Sequence, residues 1–268
     1  MFPVKIIGKP PATDRSVDIR SLSDGAQSIW NIPEETPVAF VYNRRNYAVM
    51  LATPHDIEDF ALGFSLTEGV VDKPEDISAL DIAYVDRGVD LRIRISDQLL
   101  ERLDVRQRRR NLPGAAGCGL CGLENADAFF ASLPKVAEER VSIDETAILS
   151  AMGRLAGRQP INQRTRSVHA AAWAGLDGEI AFVREDVGRH NALDKLLGAI
   201  AREGTDVATG FVLMSSRCSY ELVEKAARRG VKALASISGP TGFALEKARE
   251  ANMALFARAP GGVVAMLD

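Results

Sequence analysis

The feature that most constrains this fold is an alternation of strand-like and helix-like segments in the second half of the chain. Short apolar runs are followed there by segments with helical periodicity, three times in succession. Strands are predicted at 169–173, 180–184, 210–214, 231–235, 253–257 and 263–266, and helices beginning at Asn191, Tyr220 and Gly242. This order predicts a partly parallel sheet that is covered on both faces by helices.

Strands predominate in the first half. Residues 37–42 and 47–51 have strand character around a polar turn, and residues 89–95 alternate strictly between apolar and polar side chains. Thr53 as N-cap and Pro54 at the first helical position predict that a helix starts there.

Three parts are expected along the chain. Residues 1–35 show no sustained periodicity and are expected to form an N-terminal arm. Residues 36–140 are expected to form a smaller α/β part with a cysteine-containing loop at 111–122, and residues 141–268 a βα-repeat domain. Ser142 and Glu145 have the spacing of a capping box, which predicts the first helix of that last domain.

Composition is that of an ordinary globular protein. The chain has 268 residues, of which 46% are hydrophobic and 26% charged, enough for one large domain or two small ones. The net charge of -3 does not indicate the positively charged surface that nucleic acid binding needs, and no apolar run is long enough to span a bilayer. We therefore expect neither a nucleic-acid partner nor a membrane partner.

The pair Cys118 and Cys121 lies in the glycine-rich segment Pro113-Gly-Ala-Ala-Gly-Cys-Gly-Leu-Cys-Gly122. The residues that follow are predicted to be helical, which would put the second thiol near a helix N-terminus, where the thiolate is favoured. Three cysteines, two of them in a redox-type spacing, indicate a reducing compartment, and we expect a cytoplasmic protein. The pair favours sulfur chemistry over a role in packing.

A zinc site and a disulfide exchanger are the two other interpretations of the cysteine pair. A zinc site needs about four ligands, and the remaining Cys218 and histidines do not have ligand spacing. A zinc deaminase also needs a His-x-Glu motif, which the sequence lacks. A thioredoxin-like disulfide exchanger stays open, although its CxxC normally follows a strand.

Three strand-to-helix turns in the second half are rich in small and polar residues. Ligands of open α/β sheets gather at such turns, where backbone N–H groups and helix N-termini bind anions. The turns are Glu185-Asp-Val-Gly-Arg-His-Asn191, Ser215-Ser-Arg-Cys-Ser219 and Ser236-Ile-Ser-Gly-Pro-Thr-Gly242. Any one of them could simply cap a helix. Together they predict a pocket for a phosphorylated or nucleotide-bearing ligand.

Five residues of these turns are candidate ligand contacts. Arginines in two of the turns could bind phosphate through bidentate hydrogen bonds. The histidine could bind a ligand or shuttle a proton, with a capping role as the alternative. The candidates are Arg189, His190, Ser216, Arg217 and Thr241. Cys218, flanked by serines, is interpreted as a small buried residue.

From about Glu35 to Arg258 the sequence resembles the FdhD/NarQ family, the formate dehydrogenase accessory sulfurtransferases. Many separate motifs occur in the same order, which makes the resemblance specific. They are Glu35-Thr-Pro-Val, Met50-Leu-Ala-Thr-Pro-His-Asp-Ile-Glu-Asp-Phe-Ala-Leu-Gly-Phe, Thr67-Glu-Gly, Cys118-Gly-Leu-Cys-Gly, His169-Ala-Ala, Glu185-Asp-Val-Gly-Arg-His-Asn-Ala-Leu-Asp-Lys195, Ser219-Tyr-Glu and Pro240-Thr. Two family patterns are altered, because Arg166 and Ser167 replace glycines before His169 and Ser216 replaces the glycine of Ser-Gly-Arg.

The resemblance implies a sulfur carrier. Cys118 would accept persulfide sulfur from a cysteine desulfurase, and Cys121 would relay the sulfur or resolve the persulfide. The cargo would be the molybdenum cofactor, Mo-bis(molybdopterin guanine dinucleotide), destined for formate dehydrogenase. In the family a C-terminal stretch is assigned to this cofactor, here Phe256, Ala257, Arg258, Ala259, Pro260 and Gly261.

The resemblance also implies an architecture and an assembly. The expected fold is an α/β, cytidine deaminase-like three-layer core with a mixed sheet, together with a smaller α/β subdomain, and the expected assembly is a homodimer. A nucleotide-binding chaperone that only escorts the cofactor, with a structural or redox-sensing CxxC, is the alternative from a different functional class. Both functions predict guanine-nucleotide binding, whereas only a sulfurtransferase predicts transferable sulfur.

Overall fold

The computed structural model describes residues 2–110 and 132–266. Its strands are β1 (Val4–Ile7), β2 (Asp14–Arg20), β3 (Gln27–Pro33), β4 (Thr36–Tyr42), β5 (Arg45–Ala52), β6 (Ile77–Val85), β7 (Gly88–Ile95), β8 (His169–Gly175), β9 (Ile180–Asp186), β10 (Gly210–Met214), β11 (Ala233–Ser236), β12 (Ala254–Ala259) and β13 (Gly262–Ala265). Its helices are α1 (Ile57–Thr67), α2 (Asp97–Arg110), α3 (Glu145–Leu155), α4 (Pro160–Thr165), α5 (Arg189–Glu203), α6 (Tyr220–Arg228) and α7 (Gly242–Glu250).

Five strands of the first half form a sheet in the order β1-β6-β7-β4-β5. Side chains alternate along β4, so that Val38, Phe40 and Tyr42 are fully buried on the inner face. The Phe40 ring contacts the rings of Phe60 and Phe64 on α1. The inner face of this sheet therefore forms a core with α1.

Six strands of the second half form a mixed sheet in the order β13-β12-β11-β10-β8-β9. The central strands β10, β11 and β12 are parallel, whereas β8, β9 and β13 each pair antiparallel with a neighbour. Apolar residues of α5, α6 and α7 pack with one set of strand side chains, and those of α3 pack with the alternate set. This three-layer, mixed α/β arrangement confirms the predicted alternation.

Helices α1 and α5 connect the two halves through a close backbone contact. A Cβ atom on Gly63 would overlap the carbonyl oxygen of Asp194, and one on Gly198 would overlap the carbonyl oxygen of Asp59. Only glycine permits the helix axes to approach this closely. Next to this contact, Lys225 binds the buried Asp194 carboxylate at 2.9 Å.

The predicted helix start at Thr53 and Pro54 is wrong. Helix α1 begins at Ile57, after Asp56 in the left-handed region with φ of 52°. The Thr53 N–H donates to Oδ2 of Asp186 at 2.9 Å, and the Thr53 hydroxyl accepts from the Val187 N–H at 3.1 Å. The groups that would have capped a helix are therefore bonded to a segment more than 130 residues away.

Residues 1–35, which were expected to form an N-terminal arm, contain the three strands β1, β2 and β3. Strand β1 extends the five-stranded sheet by pairing in parallel with β6, and β2 and β3 form a hairpin. That hairpin is held to α4 by an ion pair between Arg164 and Asp14 at 2.6 Å, and Arg166 lies over the ring of Trp30 at 5.9 Å. Pairing across distant segments explains why local periodicity missed these strands.

The capping box predicted at Ser142 and Glu145 is replaced by a different cap. Asp144 is the N-cap of α3, and its carboxylate accepts the Thr146 N–H at 2.9 Å. The Glu145 carboxylate instead accepts the Val263 N–H at 2.8 Å, which ties α3 to β13. Other boundaries were predicted well: β10 has the predicted bounds, and α7 begins at Gly242 as predicted. No helix within the described ranges is long and apolar enough to cross a bilayer.

Candidate functional site

Four turns meet where the parallel strands of the six-stranded sheet end, and we call this region the carboxyl edge. It consists of residues 186–190, 215–219, 237–241 and 258–262. The first two turns approach each other where Nε2 of His190 lies 3.4 Å from Oγ of Ser219. The second and third are joined where the Thr241 N–H donates to the Cys218 carbonyl at 3.0 Å. The three predicted strand-to-helix turns are therefore brought together.

A buried ion pair shapes the first of these turns. Nζ of Lys195 lies 2.7 Å from Oδ2 of Asp186, and both side chains are fully buried. Lys195 also donates to the Thr53 carbonyl at 2.8 Å. The other oxygen of Asp186 accepts from the Gly188 N–H at 2.8 Å and from Nδ2 of Asn191 at 2.9 Å. These side chains are occupied in holding the turn against the loop before α1.

The adjacent carboxylate has a similar structural role. Glu185 is buried, and its two oxygens accept the N–H groups of Ile161 and Asn162 at 2.9 and 2.8 Å, at the start of α4. Burial raises the pKa of Glu185, and those two hydrogen bonds partly counteract the rise. Most of the motif from Glu185 to Lys195 is thus used in packing and positioning, which leaves Arg189 and His190 for ligand contacts.

Arg189 begins α5 and carries a buried nitrogen atom with no partner. Its Nε has no hydrogen-bond partner among the described residues. A buried donor left unpaired is costly, so such an atom marks a position where an acceptor is expected. Burial, and then the charge of Arg189, lower the pKa of the nearby His169, which keeps that imidazole neutral. The guanidinium and the first N–H groups of α5 together provide donors for an anion.

His190 is held between two groups of α6. Its Nε2 lies 3.4 Å from both Oγ of Ser219 and a carboxylate oxygen of Glu221. The hydrogen bond with His190 is the largest cause that lowers the pKa of Glu221 to about 2. This contact fixes the orientation of the imidazole, which is about one quarter exposed. Glu221 is not among the candidate residues predicted from the sequence, although it belongs to the Ser219-Tyr-Glu motif of the resemblance.

The second turn places its two candidates differently. Ser216 is buried, with a hydroxyl that donates to the Arg217 carbonyl at 2.9 Å, whereas the Arg217 side chain is exposed. Cys218 is 1% exposed, and burial raises the pKa of its thiol to about 12. That thiol remains protonated near neutral pH, as expected for a small buried residue.

The third turn carries Thr241 as the N-cap of α7. Its hydroxyl accepts the Ala244 N–H at 3.3 Å. A Cβ atom added to Gly239 or Gly242 would meet no atom within 4 Å, so the space around these glycines is open. The Thr241 side chain therefore caps α7, and the backbone of the turn borders the open space.

The C-terminal candidates extend from the core to the surface. Phe256 and Ala257 are buried in β12, and the Phe256 ring packs with the α3 core. Arg258 is exposed, Ala259 ends β12, and Pro260 and Gly261 form the turn into β13. Arg258 and the turn are therefore the parts of this stretch that a ligand can reach.

One departure from the family pattern is accommodated by the backbone. Arg166 ends α4 in the left-handed conformation with φ of 55°, which glycine adopts without steric cost. The arginine retains this conformation and lies over Trp30. Arg166 therefore occupies a backbone conformation that favours glycine and contacts the β2–β3 hairpin through Trp30.

Cys118 and Cys121 lie outside the described residues. Within the ranges 2–110 and 132–266, no group of three or more His, Cys, Asp or Glu side chains is arranged to hold a metal ion. Among the described residues, the candidate site therefore consists of the hydrogen-bond donors of the carboxyl edge.

Comparisons with known proteins agree with one another. A profile described as the FdhD/NarQ family matches residues 33–266. The chain is 48% identical over 229 residues to a protein named sulfur carrier protein FdhD from Xanthomonas euvesicatoria pv. vesicatoria, covering 85% of this chain and 80% of that protein. A protein of the same name from Bordetella petrii is 46% identical over 224 residues, covering 84% and 80%.

A solved structure has the same fold. It is the crystal structure of a proposed formate dehydrogenase accessory protein from Desulfotalea psychrophila, which matches with a TM-score of 0.70. The match covers 96% of this chain and 98% of that one at 22% sequence identity. The shared fold therefore includes both sheets and the helices between them.

Proposed function

This chain belongs to the FdhD/NarQ family, and from that premise we propose that it is a sulfur carrier and sulfurtransferase for the molybdenum cofactor of formate dehydrogenase. Sulfur would come from a cysteine desulfurase and pass to Mo-bis(molybdopterin guanine dinucleotide), bound as cargo. The names of the curated relatives support the sulfur-carrier part. The redox-type spacing of Cys118 and Cys121 supports the persulfide chemistry.

The loading step is a thiol exchange. The thiolate of Cys118 attacks the outer sulfur of the donor's cysteine persulfide, the donor S–S bond breaks, and the donor cysteine leaves as a thiolate. Cys118 then carries the additional sulfur as its own persulfide. The fraction of Cys118 that is present as thiolate sets the rate of this step.

Cys121 has two possible roles in delivery. It can accept the outer sulfur from Cys118 by a second exchange and so act as a relay. Alternatively, the Cys121 thiolate attacks the inner sulfur of the Cys118 persulfide, which forms a Cys118–Cys121 disulfide and expels hydrosulfide towards the acceptor. A thiol reductant then restores both cysteines. Only the second route leaves the protein oxidised after each delivery.

The observation that supports cofactor binding most directly is the unpartnered Nε of Arg189 beside the N-terminus of α5. A phosphate oxygen would satisfy that donor, and the guanine dinucleotide supplies several phosphates. His190, held by Glu221, and the exposed Arg217 border the same edge. Ser216, Thr241 and the turn after Arg258 would complete the pocket through backbone groups.

The proposal also covers the fold, the assembly and the cellular location of the protein. The order of β9, β8, β10, β11 and β12, with β8 antiparallel to both neighbours, supports a cytidine deaminase-like core. A homodimer is expected from the family, and the redox-type spacing of two of the three cysteines favours action in the cytoplasm.

The test uses a strain whose formate dehydrogenase depends on this protein. Cys118→Ala is expected to abolish activation, whereas Cys218→Ala, which alters the buried third cysteine, is expected to preserve it. Guanosine diphosphate binding measured on the same proteins should be equal for both. Full activation by Cys118→Ala, with nucleotide binding retained, would instead favour a chaperone that only escorts the cofactor.

A further inference from the structure

A small cavity lies beside β9, the strand at one edge of the six-stranded sheet. Its walls come from the loop before α1, from the residues around the start of α4 and from β9 itself. The volume is about 230 Å³. Pockets for drug-sized ligands have volumes of roughly 300–1,000 Å³. This cavity therefore has room only for a smaller molecule.

The two carboxylates that line the cavity already have partners. The oxygens of Glu185 accept two backbone N–H groups at the start of α4. Oδ2 of Asp56 lies 2.9 Å from Nδ1 of His55 and 3.6 Å from Nε of Arg184. Arg184 in turn donates from Nε to Oδ2 of Asp59 at 2.7 Å. The acidic groups and Arg184 are therefore engaged with the protein itself.

Two other lining residues retain unused donor capacity. Arg158 donates from Nη1 to the Ile180 carbonyl at 3.2 Å, and it has no carboxylate partner among residues 2–110 and 132–266. Nε2 of His55 has no hydrogen-bond partner in those ranges either, and the side chain is 55% exposed. The hydrogen bond with Asp56 is the largest cause that raises the pKa of His55. It favours the imidazolium form, which donates from both nitrogens.

An unpaired guanidinium beside an imidazole matches the chemistry of an oxyanion. Arginine binds a carboxylate through two parallel hydrogen bonds, and such charge-assisted bonds are about twice as strong as neutral ones. A cation would instead be repelled by Arg158 and Arg184. Ala181 and Val183 provide an apolar wall in the same cavity. A short alkyl group could pack there, which favours a carboxylate over inorganic phosphate.

We propose that this cavity is a second binding site, which takes a small carboxylate with a short apolar group. Arg158 and His55 donate to the carboxylate oxygens, and Ala181 and Val183 contact the apolar group. The site is separate from the carboxyl edge, because none of the four turns contributes a lining residue in the described part of the chain. It goes beyond the proposed sulfur transfer and does not depend on it.

The test follows imidazole signals by nuclear magnetic resonance, because the chain contains only three histidines. The full-length protein is titrated with propionate and, separately, with inorganic phosphate at constant pH and ionic strength. His55→Gln assigns the His55 signal. Arg158→Gln removes the unpaired guanidinium, and Arg154→Gln, which alters an exposed arginine of α3 outside the cavity, is the matched control. Spectra without ligand check that each variant is folded.

Propionate is expected to shift the His55 signal to saturation and to leave the His190 signal in place. Arg158→Gln should weaken this binding at least about tenfold, as loss of a charge-assisted contact implies. The Arg154→Gln control should bind like the parent. A parent without a saturable His55 shift, equal affinity of Arg158→Gln, or tighter binding of phosphate than of propionate would overturn the proposal.

The same samples keep this inference apart from the proposed function. Guanosine diphosphate is expected to shift the His190 signal at the carboxyl edge of the parent protein. Failure of that shift would count against the cofactor site alone, whereas failure of the propionate shift would count against the cavity alone.

Discussion

Replacing Gly63 with alanine tests whether the backbone contact between α1 and α5 holds the two halves together. An added Cβ would lie 2.8 Å from the backbone nitrogen of Gly198 and would overlap the Asp194 carbonyl oxygen. Ordinary Cβ contacts begin near 3.4 Å, so the helices must separate by at least 0.6 Å (3.4 minus 2.8 Å) to relieve the nitrogen contact alone. The carbonyl oxygen requires a larger movement.

The atoms that Gly63→Ala would strike belong to the main chain of a helix and cannot rotate away. Overpacking of a core costs about 1–3 kcal/mol when side chains can adjust. Because α1 also contributes Phe60 and Phe64 to the first core, we expect the free energy of unfolding to fall by about 3 kcal/mol or more. Gly153 on α3 has no atom within 4 Å of an added Cβ. Gly153→Ala is therefore expected to raise stability by about 0.5–1 kcal/mol.

The assay is equilibrium urea unfolding followed by far-ultraviolet circular dichroism. Gly63→Ala should lower the urea midpoint or prevent folding, while Gly153→Ala should raise the midpoint slightly. The slope of the transition should be unchanged for Gly153→Ala. If the free energy of unfolding of Gly63→Ala were within about 1 kcal/mol of that of the parent, α1 and α5 would not be in backbone contact, and the proposed connection between the two halves would be refuted.

Three further predictions concern the site. Lys195→Met leaves the buried Asp186 carboxylate without its cation and should lower the free energy of unfolding by about 3–5 kcal/mol. Adding Asp186→Asn should restore part of this loss. If urea unfolding showed that the two substitutions have additive effects on stability, the pairing would be contradicted. The pKa of Glu221 is lowered from the usual 4.5 to about 2, so its stabilising contribution is present above pH 4.5 and is lost as the pH falls towards 2. Over that range the parent should lose at most about 3 kcal/mol more of its free energy of unfolding than Glu221→Gln does. Parallel acid-unfolding curves of the two proteins would exclude the His190 contact. Arg189→Met should weaken guanosine diphosphate binding about tenfold in calorimetry, as loss of one charged phosphate contact implies, whereas unchanged affinity would remove Arg189 from the site.

Local sequence patterns predicted the second half well because its elements are defined by local properties. β10 is a short apolar run, and α7 begins at a threonine cap, so periodicity and capping are sufficient. Thr53 had an equally good local cap signal, yet its N–H and hydroxyl bond to Asp186 and the Val187 N–H. A contact between distant segments therefore overrides the local preference.

The grouping of the three turns was predicted for the same reason. Strand-to-helix turns gather at one sheet edge by topology alone, so Arg189, His190 and Thr241 could be grouped from the sequence. The link between His190 and Glu221 depends on the relative position of α5 and α6, which no local pattern encodes. Likewise, a lysine suggests an exposed residue, and only the packing of Thr53 against β9 explains why Lys195 is fully buried.

The central claim is that Cys118 carries transferable sulfur. Intact-protein mass spectrometry after incubation with a cysteine desulfurase and cysteine tests it directly, with Cys118→Ala, Cys121→Ala and Cys218→Ala in parallel. The account predicts that the parent and Cys218→Ala gain sulfur that a reductant removes, and that Cys118→Ala gains none. If the parent gains no sulfur while the desulfurase is active, or if Cys118→Ala gains as much as the parent, Cys118 is not the sulfur carrier.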